Sequence, residues 1–264
     1  MFEQSLKQTK QNQLFKDISW NLPENKLKAG KYLIIGGSEQ SFQKIAITYE
    51  AFKNVNLGEI KFILPSSLQK YFKVDPILNF SPSSRSGSFG LASLDELINY
   101  ADWADVVLLA GDLSKNSETH ILMDRFLTNY KSNLIINSEI LDLMNLQINS
   151  LIYRDNTVVI SNLETLQKII SKDPKLTQHV IKLNSSLANT VDTLGQISLL
   201  IPNPIITKIE QNMIVLYRGR ISISQRKEEL TNWENKIAPM IAIYYYNNPN
   251  KIFEALTDAI YAIL

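Results

Sequence analysis

Five short apolar runs, set apart by segments of helical length, constrain this chain more than any other feature. Tyr32–Ile35, Glu59–Leu64, Val106–Leu109, Asn133–Ile136 and Thr157–Ile160 read as strands. They are nearly continuous in Val, Ile, Leu and aromatic residues rather than alternating, the pattern of strands covered on both faces. The segments between them carry helical spacing. Phe42–Asn54 places Ile45, Tyr49 and Phe52 on one face, and Ser117–Tyr130 carries a stripe of Ile121, Leu122, Phe126 and Leu127. Strands joined through helices make right-handed crossovers, so the expected architecture is a mostly parallel sheet with helices on both faces.

The remaining elements fit that frame. Pro65 ends the second strand, and Ser66–Phe72 reads as a short helix. Phe80–Gly90 reads as a loop rich in Ser, Gly and Pro. Leu94–Tyr100 is a helix with Ser93 as its cap and Glu96 in its first turn. Ile140–Met144 begins a helix, and Leu163–Ser171 forms another. Beyond residue 195 the pattern changes. Ile205–Ile209, Met213–Tyr217 and Arg220–Ser224 are short runs with breaks at Gln211-Asn212 and Arg218-Gly219, an antiparallel meander at a sheet edge. Helices over Trp233–Asn247 and Pro249–Leu264 close the chain. Residues 1–27 read as a polar N-terminal arm and 28–264 as a single domain, without internal repeat or long linker.

Composition removes several classes of chemistry. The formal net charge is +1, which gives no reason to expect nucleic acid as a partner. There are no cysteines, so disulfides, thiolate nucleophiles and Cys-ligated metals are excluded. Met1–Lys16 has no apolar core of a secretory signal, and no apolar run reaches the ~20 residues of a membrane span. The expectation is a cytoplasmic protein without membrane contact. His120 and His179 are the only histidines, and neither has the carboxylate spacing of a zinc site. Tyr244-Tyr245-Tyr246 suits helix packing or the surface of a homo-oligomer, which is the expected assembly.

In an open parallel sheet, ligands bind beyond the carboxyl ends of the strands, so four loops are candidates. Gly36-Gly37-Ser38 can bring backbone N–H groups close to an anion, or can serve as a tight turn into the next helix. Ser81–Gly90 is rich in hydroxyls, and Arg85 can clamp a phosphate or carboxylate. Ala110–Thr119 gathers Gly111, Asp112, Ser114 and Asn116 directly after a buried strand. Asp112 and Asn116 suit a polyol, a ribose or a metal-bound water, and Asn116 also suits a helix cap. Asn137 and Glu139, with Asn162 and Glu164, follow two further strands. They fit either a ligand or the first turns of the helices that follow.

At these positions the chain resembles a known family. Lys28-Ala29-Gly30, the strand Lys31–Ile35, and then Gly36-Gly37-Ser38 look like the opening of the ADP/ATP-dependent NAD(P)H-hydrate dehydratases, carbohydrate kinase relatives within the ribokinase-like superfamily. Ala104–Thr119 resembles that family's strand followed by Pro-Gly-x-Gly. Asn137–Leu141 and Ser161–Glu164 fall where the family has Asp-Ala-Asp-Ala-Leu and Pro-His-x-x-Glu. The resemblance spans roughly residues 28–225. It implies a three-layer ribokinase-like α/β fold, a small-molecule or nucleotide ligand, and ATP or ADP with Mg2+ as cofactor for an active member. It also places a strand near Leu199–Ile201.

The departures carry equal weight. Gln43-Lys44 stands where the family has Gly-Ala, and Asn137 stands where it has its first Asp. The family's Gly-x-Gly-Asp should precede the penultimate helix, but residues 230–239 contain no glycine. Glycines at a helix N-terminus normally build the hole that stabilises phosphoryl charge, and the Asp acts as base. Glu234 is the one carboxylate in that stretch and so the one catalytic candidate. The expectation is a divergent or catalytically silent homologue that binds a nucleotide or metabolite. The alternatives are an active kinase or dehydratase with a relocated carboxylate, and an oligomeric scaffold.

Overall fold

The computed structural model describes residues 5–25, 28–55, 58–144 and 151–264. Ten strands form one sheet: β1 (Leu6–Gln8), β2 (Lys31–Gly36), β3 (Glu59–Pro65), β4 (Leu78–Ser81), β5 (Val106–Ala110), β6 (Asn133–Ile136), β7 (Thr157–Ile160), β8 (Ile205–Ile209), β9 (Asn212–Tyr217) and β10 (Arg220–Gln225). Their order across the sheet is β1-β10-β9-β8-β7-β6-β5-β2-β3-β4. All neighbours pair in parallel except β8–β9 and β9–β10, so β9 alone runs against the rest.

Against this sheet pack the helices α1 (Phe42–Lys53), α2 (Leu94–Trp103), α3 (Ser117–Asn129), α4 (Ser138–Leu143), α5 (Leu163–Ile170), α6 (Leu187–Leu200), α7 (Trp233–Asn247) and α8 (Ile252–Tyr261). They divide between its two faces. Successive residues of one strand point to opposite faces, and β2 shows this directly. Leu33 and Ile35 pack with Leu97, Leu122, Phe126, Leu166 and Leu194, from α2, α3, α5 and α6. Tyr32 and Ile34 pack with Ile45, Phe52, Ile237, Ile241 and Phe253, from α1, α7 and α8. The continuous apolar runs therefore follow from two-sided burial, and the result is a three-layer arrangement of helices, sheet and helices.

The five apolar runs all lie in this sheet, and the meander occupies β8 to β10. Several expectations need correction. Leu199 does not begin a strand: α6 runs to Leu200, and the strand starts at Ile205, after Pro202 and Pro204. A proline within a helix or a central strand costs a hydrogen bond, so the pair marks the break and not a strand end. Ser66–Tyr71 is a 3-10 helix. The hydroxyl of Ser93 does not cap α2 but donates to the carbonyl of Pro82 at 2.7 Å. Ile121 is 43% exposed, so the buried stripe of α3 is Leu122, Met123, Phe126 and Leu127.

Two strands lack a clear sequence signal. β4 is a four-residue edge strand. β1 lies within the N-terminal arm, where Leu6, Lys7 and Gln8 pair with Ser222, Ile223 and Ser224. Its anchor is polar. Gln8 Nε2 donates to Ser224 Oγ at 2.7 Å and to the Thr257 carbonyl at 2.8 Å, and Phe15 packs edge-on against Phe253.

The tightest joint in the sheet is at the end of β2. Gly36 pairs with Ala110, and a Cβ on Gly36 would lie 1.6 Å from the Ala110 carbonyl oxygen. Only glycine fits without moving backbone. Gly36→Ala is expected to destabilise the protein by roughly 2 kcal/mol or more, toward or beyond the usual overpacking cost because backbone cannot yield as a side chain can. Denaturant titration checks this, and an unchanged midpoint would contradict the close approach.

Candidate functional site

Strand polarity decides where polar chemistry collects. β2, β5, β6 and β7 are parallel, so the loops carrying Gly36–Ser38, Gly111–Asn116, Asn137–Glu139 and Ser161–Asn162 leave from the same edge. The start of α7 joins them there, through hydrogen bonds between Glu234 and Ser138.

The glycine turn is filled from within. Gly37 and Gly111 have φ of +92° and +76°, a region glycine enters without strain. A Cβ on Gly37 would lie 2.9 Å from Ile45 and Leu68, and one on Gly111 would lie 3.3 Å from Ile45. The glycines thus let α1 press Ile45 against the strand ends. Ser38, immediately after them, is fully buried, and its hydroxyl has no hydrogen-bond partner among the described residues.

The centre of the edge is a carboxylate network. Glu234, in the first turn of α7, is only 9% exposed. Its Oε2 accepts from the Ser138 backbone N–H at 2.9 Å, and its Oε1 accepts from the Ser138 hydroxyl at 2.8 Å. Asn162 Nδ2 approaches Oε1 at 3.5 Å. The Ser138 hydroxyl itself accepts from Asn162 N at 3.0 Å and from Asn162 Nδ2 at 2.9 Å. Its donor and both acceptor positions are therefore used. Alongside, Asn235 Nδ2 donates to Thr48 Oγ1 of α1 at 2.9 Å, which ties the same turn to a second helix. Glu139 pairs with Lys44, also of α1.

Residues 230–239 lack glycine, yet the chain still turns sharply into α7. Asn232 takes φ 50° and ψ 39°, the left-handed conformation. Asn enters that region at lower cost than most residues. Asn232 thus makes a left-handed turn without glycine, and the buried Glu234 follows it.

Charge and burial perturb this cluster. Desolvation, followed by the charge of Glu139, raises the Glu234 carboxyl to about 7, against the opposing pull of the Ser138 donors and Lys44. Desolvation pulls the Lys44 ammonium down, but its bond with Glu139 and the charges of Glu139, Glu234 and Asp112 outweigh it and raise it. Two polar atoms here stay unpaired among the described residues: Glu139 Oε2 and Asn137 Nδ2, the latter on a residue only 2% exposed.

The β5 loop is organised by its own side chains. Asp112 Oδ1 accepts from the Ser114 N–H at 2.8 Å. Ser114 sits at φ +66°, an uncommon conformation for a residue with a Cβ. Asn116 caps α3 by accepting from the Thr119 N–H at 2.9 Å, and its Nδ2 donates to Ser86 Oγ at 2.9 Å. That bond draws the Ser81–Gly90 loop to the same rim. Arg85 lies in this loop with its side chain exposed, and among the described residues it makes no hydrogen bond or ion pair.

The edge thus brings together Gly36, Gly37, Ser38, Gly111, Asp112, Ser114, Asn116, Asn137, Glu139 and Asn162, with Arg85 on its outer rim. Three of the asparagines also cap helices: Asn116 caps α3, Asn137 accepts from the Ile140 N–H at 3.3 Å, and Asn162 accepts from the Thr165 N–H at 2.8 Å. Two members are not among the sequence candidates. Lys44 stands out in the sequence only as a departure from Gly-Ala, although a lysine in the first turn after a glycine loop is a usable signal. Ser138 gives no signal, because its role depends on Glu234, 96 positions away in the chain.

No family model matches this sequence, and no curated protein matches it. Solved structures do. A ribokinase-like superfamily protein from Enterococcus faecalis superposes with a TM-score of 0.67 at 18% identity, covering 97% of this chain and 85% of the other. A hypothetical protein from Streptococcus mutans gives 0.64 at 16% identity, over 91% of this chain and 82% of the other. The ADP/ATP-dependent NAD(P)H-hydrate dehydratase of Bacillus subtilis, co-crystallised with ATP and Mg2+, gives 0.59 at 13% identity over 94% and 85%. The chain has the ribokinase-like fold, as the resemblance implied.

Two outcomes follow from this geometry. Ser114→Gly should raise stability by up to about 1 kcal/mol by relieving the left-handed serine, measured by denaturant unfolding. Loss of stability would instead assign the Ser114 side chain a structural role. Glu234 gives a pH effect of definite sign. Its folded carboxyl titrates above the ordinary value of 4.5, so the folded state holds an extra proton between about 4.5 and 7. The stabilisation is complete below that window and is lost as pH rises through it, by roughly 3 kcal/mol. Thermal melts of the wild type and Glu234→Gln should diverge in slope across this window. Parallel slopes would mean Glu234 titrates normally.

Proposed function

We propose that this chain is a catalytically silent, ligand-binding protein of the ribokinase-like fold. One observation carries the reading: both carboxylate oxygens of Glu234 are buried and engaged by Ser138, at the edge where phosphoryl transfer needs donors that face a substrate. A donor aimed at an internal carboxylate is unavailable to a developing negative charge.

The dehydratase of Bacillus subtilis was crystallised with ATP and Mg2+. The residues of this edge do not suit that group. Asp112, Glu139 and Glu234 face one lysine, and that lysine is already paired with Glu139. A triphosphate would meet net repulsion here. We assign neither ATP nor ADP with Mg2+ to this site. The Asp112 carboxylate and the Ser114 hydroxyl suit a small hydroxylated metabolite, and Arg85 on the rim suits a single anionic group on it.

A second reading has one specific observation in its favour. A buried carboxyl that titrates at about 7 is poised as a general base at neutral pH. In that reading Glu234 leaves Ser138 and takes a proton from substrate.

The deciding assay follows recovery of NAD(P)H from its hydrate with ADP or ATP, beside the Bacillus subtilis dehydratase as control. The expected rate is lower by at least about 10²–10³, the usual effect of losing one oxyanion donor. Turnover within about tenfold of the control, abolished in Glu234→Gln, would establish the second reading and remove the first. For ligand binding, a thermal-shift panel of polyols and phosphorylated polyols provides the probe. Asp112→Ala should weaken any hit by about 1–3 kcal/mol. Unchanged affinity would place the ligand elsewhere.

A further inference from the structure

The contact between Glu234 and Ser138 joins the first turn of α7 to loops that otherwise belong to the opposite layer. α7 packs with α1 and α8 on one face of the sheet, while α4 and α5 lie on the other. The first turn of α7 reaches around the strand ends through Glu234, and holds to α1 through the Asn235–Thr48 bond. The chain enters this turn through Asn232, whose left-handed φ of 50° is a sharp local bend with no side-chain cap bond.

We propose that Glu234 is a proton-operated latch, which keeps the first turn of α7 closed over the carboxyl edge and frees it as pH rises. The device goes beyond the proposed function, since it concerns access to the edge and not the ligand bound there. Its logic is linkage. Closed, Glu234 is buried among Ser138 and Asn162, with Glu139 from α4 and Lys44 from α1 as the charged groups facing it. Lys236 on α7 is exposed. Open, the carboxyl meets water and titrates normally. A proton therefore binds the closed form more tightly, because burial and Glu139 both penalise the ionised acid there. Each pH unit between the open and closed titration points then shifts the equilibrium about tenfold toward the open form. Opening exposes the Ser138 N–H and Asn162 beside the Lys44–Glu139 pair, whose side chains are already 40% and 17% exposed.

Hydrogen–deuterium exchange without ligand tests the latch. Amides of residues 233–238 are followed from about pH 5 to pH 8.5, corrected for the chemical exchange rate, with Val107–Leu109 of β5 as the core reference. The expected result is that the α7 turn exchanges ahead of β5. Its protection should fall by about two orders of magnitude as pH rises from about 5 to 7, and then level off. Glu234→Gln should flatten that dependence. Glu139→Gln should move the levelling point to lower pH, because it removes the repelling charge and leaves Glu234 in place. If Glu234→Gln does not fold, a carboxyl-carbon NMR titration of Glu234 in wild type and Glu139→Gln reads the same titration point. The proposal fails if the turn and β5 exchange together, since opening is then global unfolding. It also fails if protection of the turn does not change with pH, or if Glu139→Gln leaves the levelling point unmoved. None of these outcomes depends on the turnover or ligand-binding assays, so the two readings stand or fall separately.

Discussion

Two-sided burial of the sheet is the constraint from which the rest follows. Helices cover both faces, so side chains along β2, β5, β6 and β7 have no outlet except the strand ends. Buried backbone is satisfied by the ladder, and polar side chains collect where the ladder stops. The carboxyl edge therefore holds Ser38, Asp112, Asn137, Glu139 and Asn162. The close pairing of Gly36 with Ala110 and the seating of Ile45 against Gly37 and Gly111 draw that edge tight.

At such an edge, a charged group must find partners or change its protonation. Glu234 does both. It takes the Ser138 donors, and its burial beside Glu139 raises its titration toward neutrality. The result is a Glu234 carboxylate satisfied from within the edge, beside the unpaired Ser38 Oγ, Asn137 Nδ2 and Glu139 Oε2. The edge holds one of the chain's own carboxylates, and Lys44 is paired with Glu139. The same contact joins the two helix layers at the strand ends.

The similarity to solved structures concerns the fold. At 18% identity or less, superposition over nearly the whole chain says that the strand order and layers agree, not that the chemistry does. Function rests on the edge residues, and these differ from the family pattern at positions that matter. Ser114 has a left-handed backbone where the resembling motif has glycine, and Asn232 has one at the start of α7.

Much of this is legible in the amino-acid order. The five apolar runs, the helix over Trp233–Asn247 and the antiparallel meander follow from local pattern, because hydrophobic period and turn residues act over a few positions. The loops that make the edge follow too, since strand polarity sets where they emerge. What local pattern cannot reach is pairing across the chain. β1 joins β10 through Gln8, a polar residue whose partners lie more than 200 positions away. Periodicity puts Ile121 in the stripe of α3, yet it is exposed, because period does not say which flank of a helix a neighbour covers. Above all, the sequence determined that residues 230–239 carry one carboxylate and no glycine. Only the tertiary structure decided that this carboxylate turns onto Ser138 and is buried, because desolvation and hydrogen bonding depend on which distant groups the fold brings within hydrogen-bonding reach.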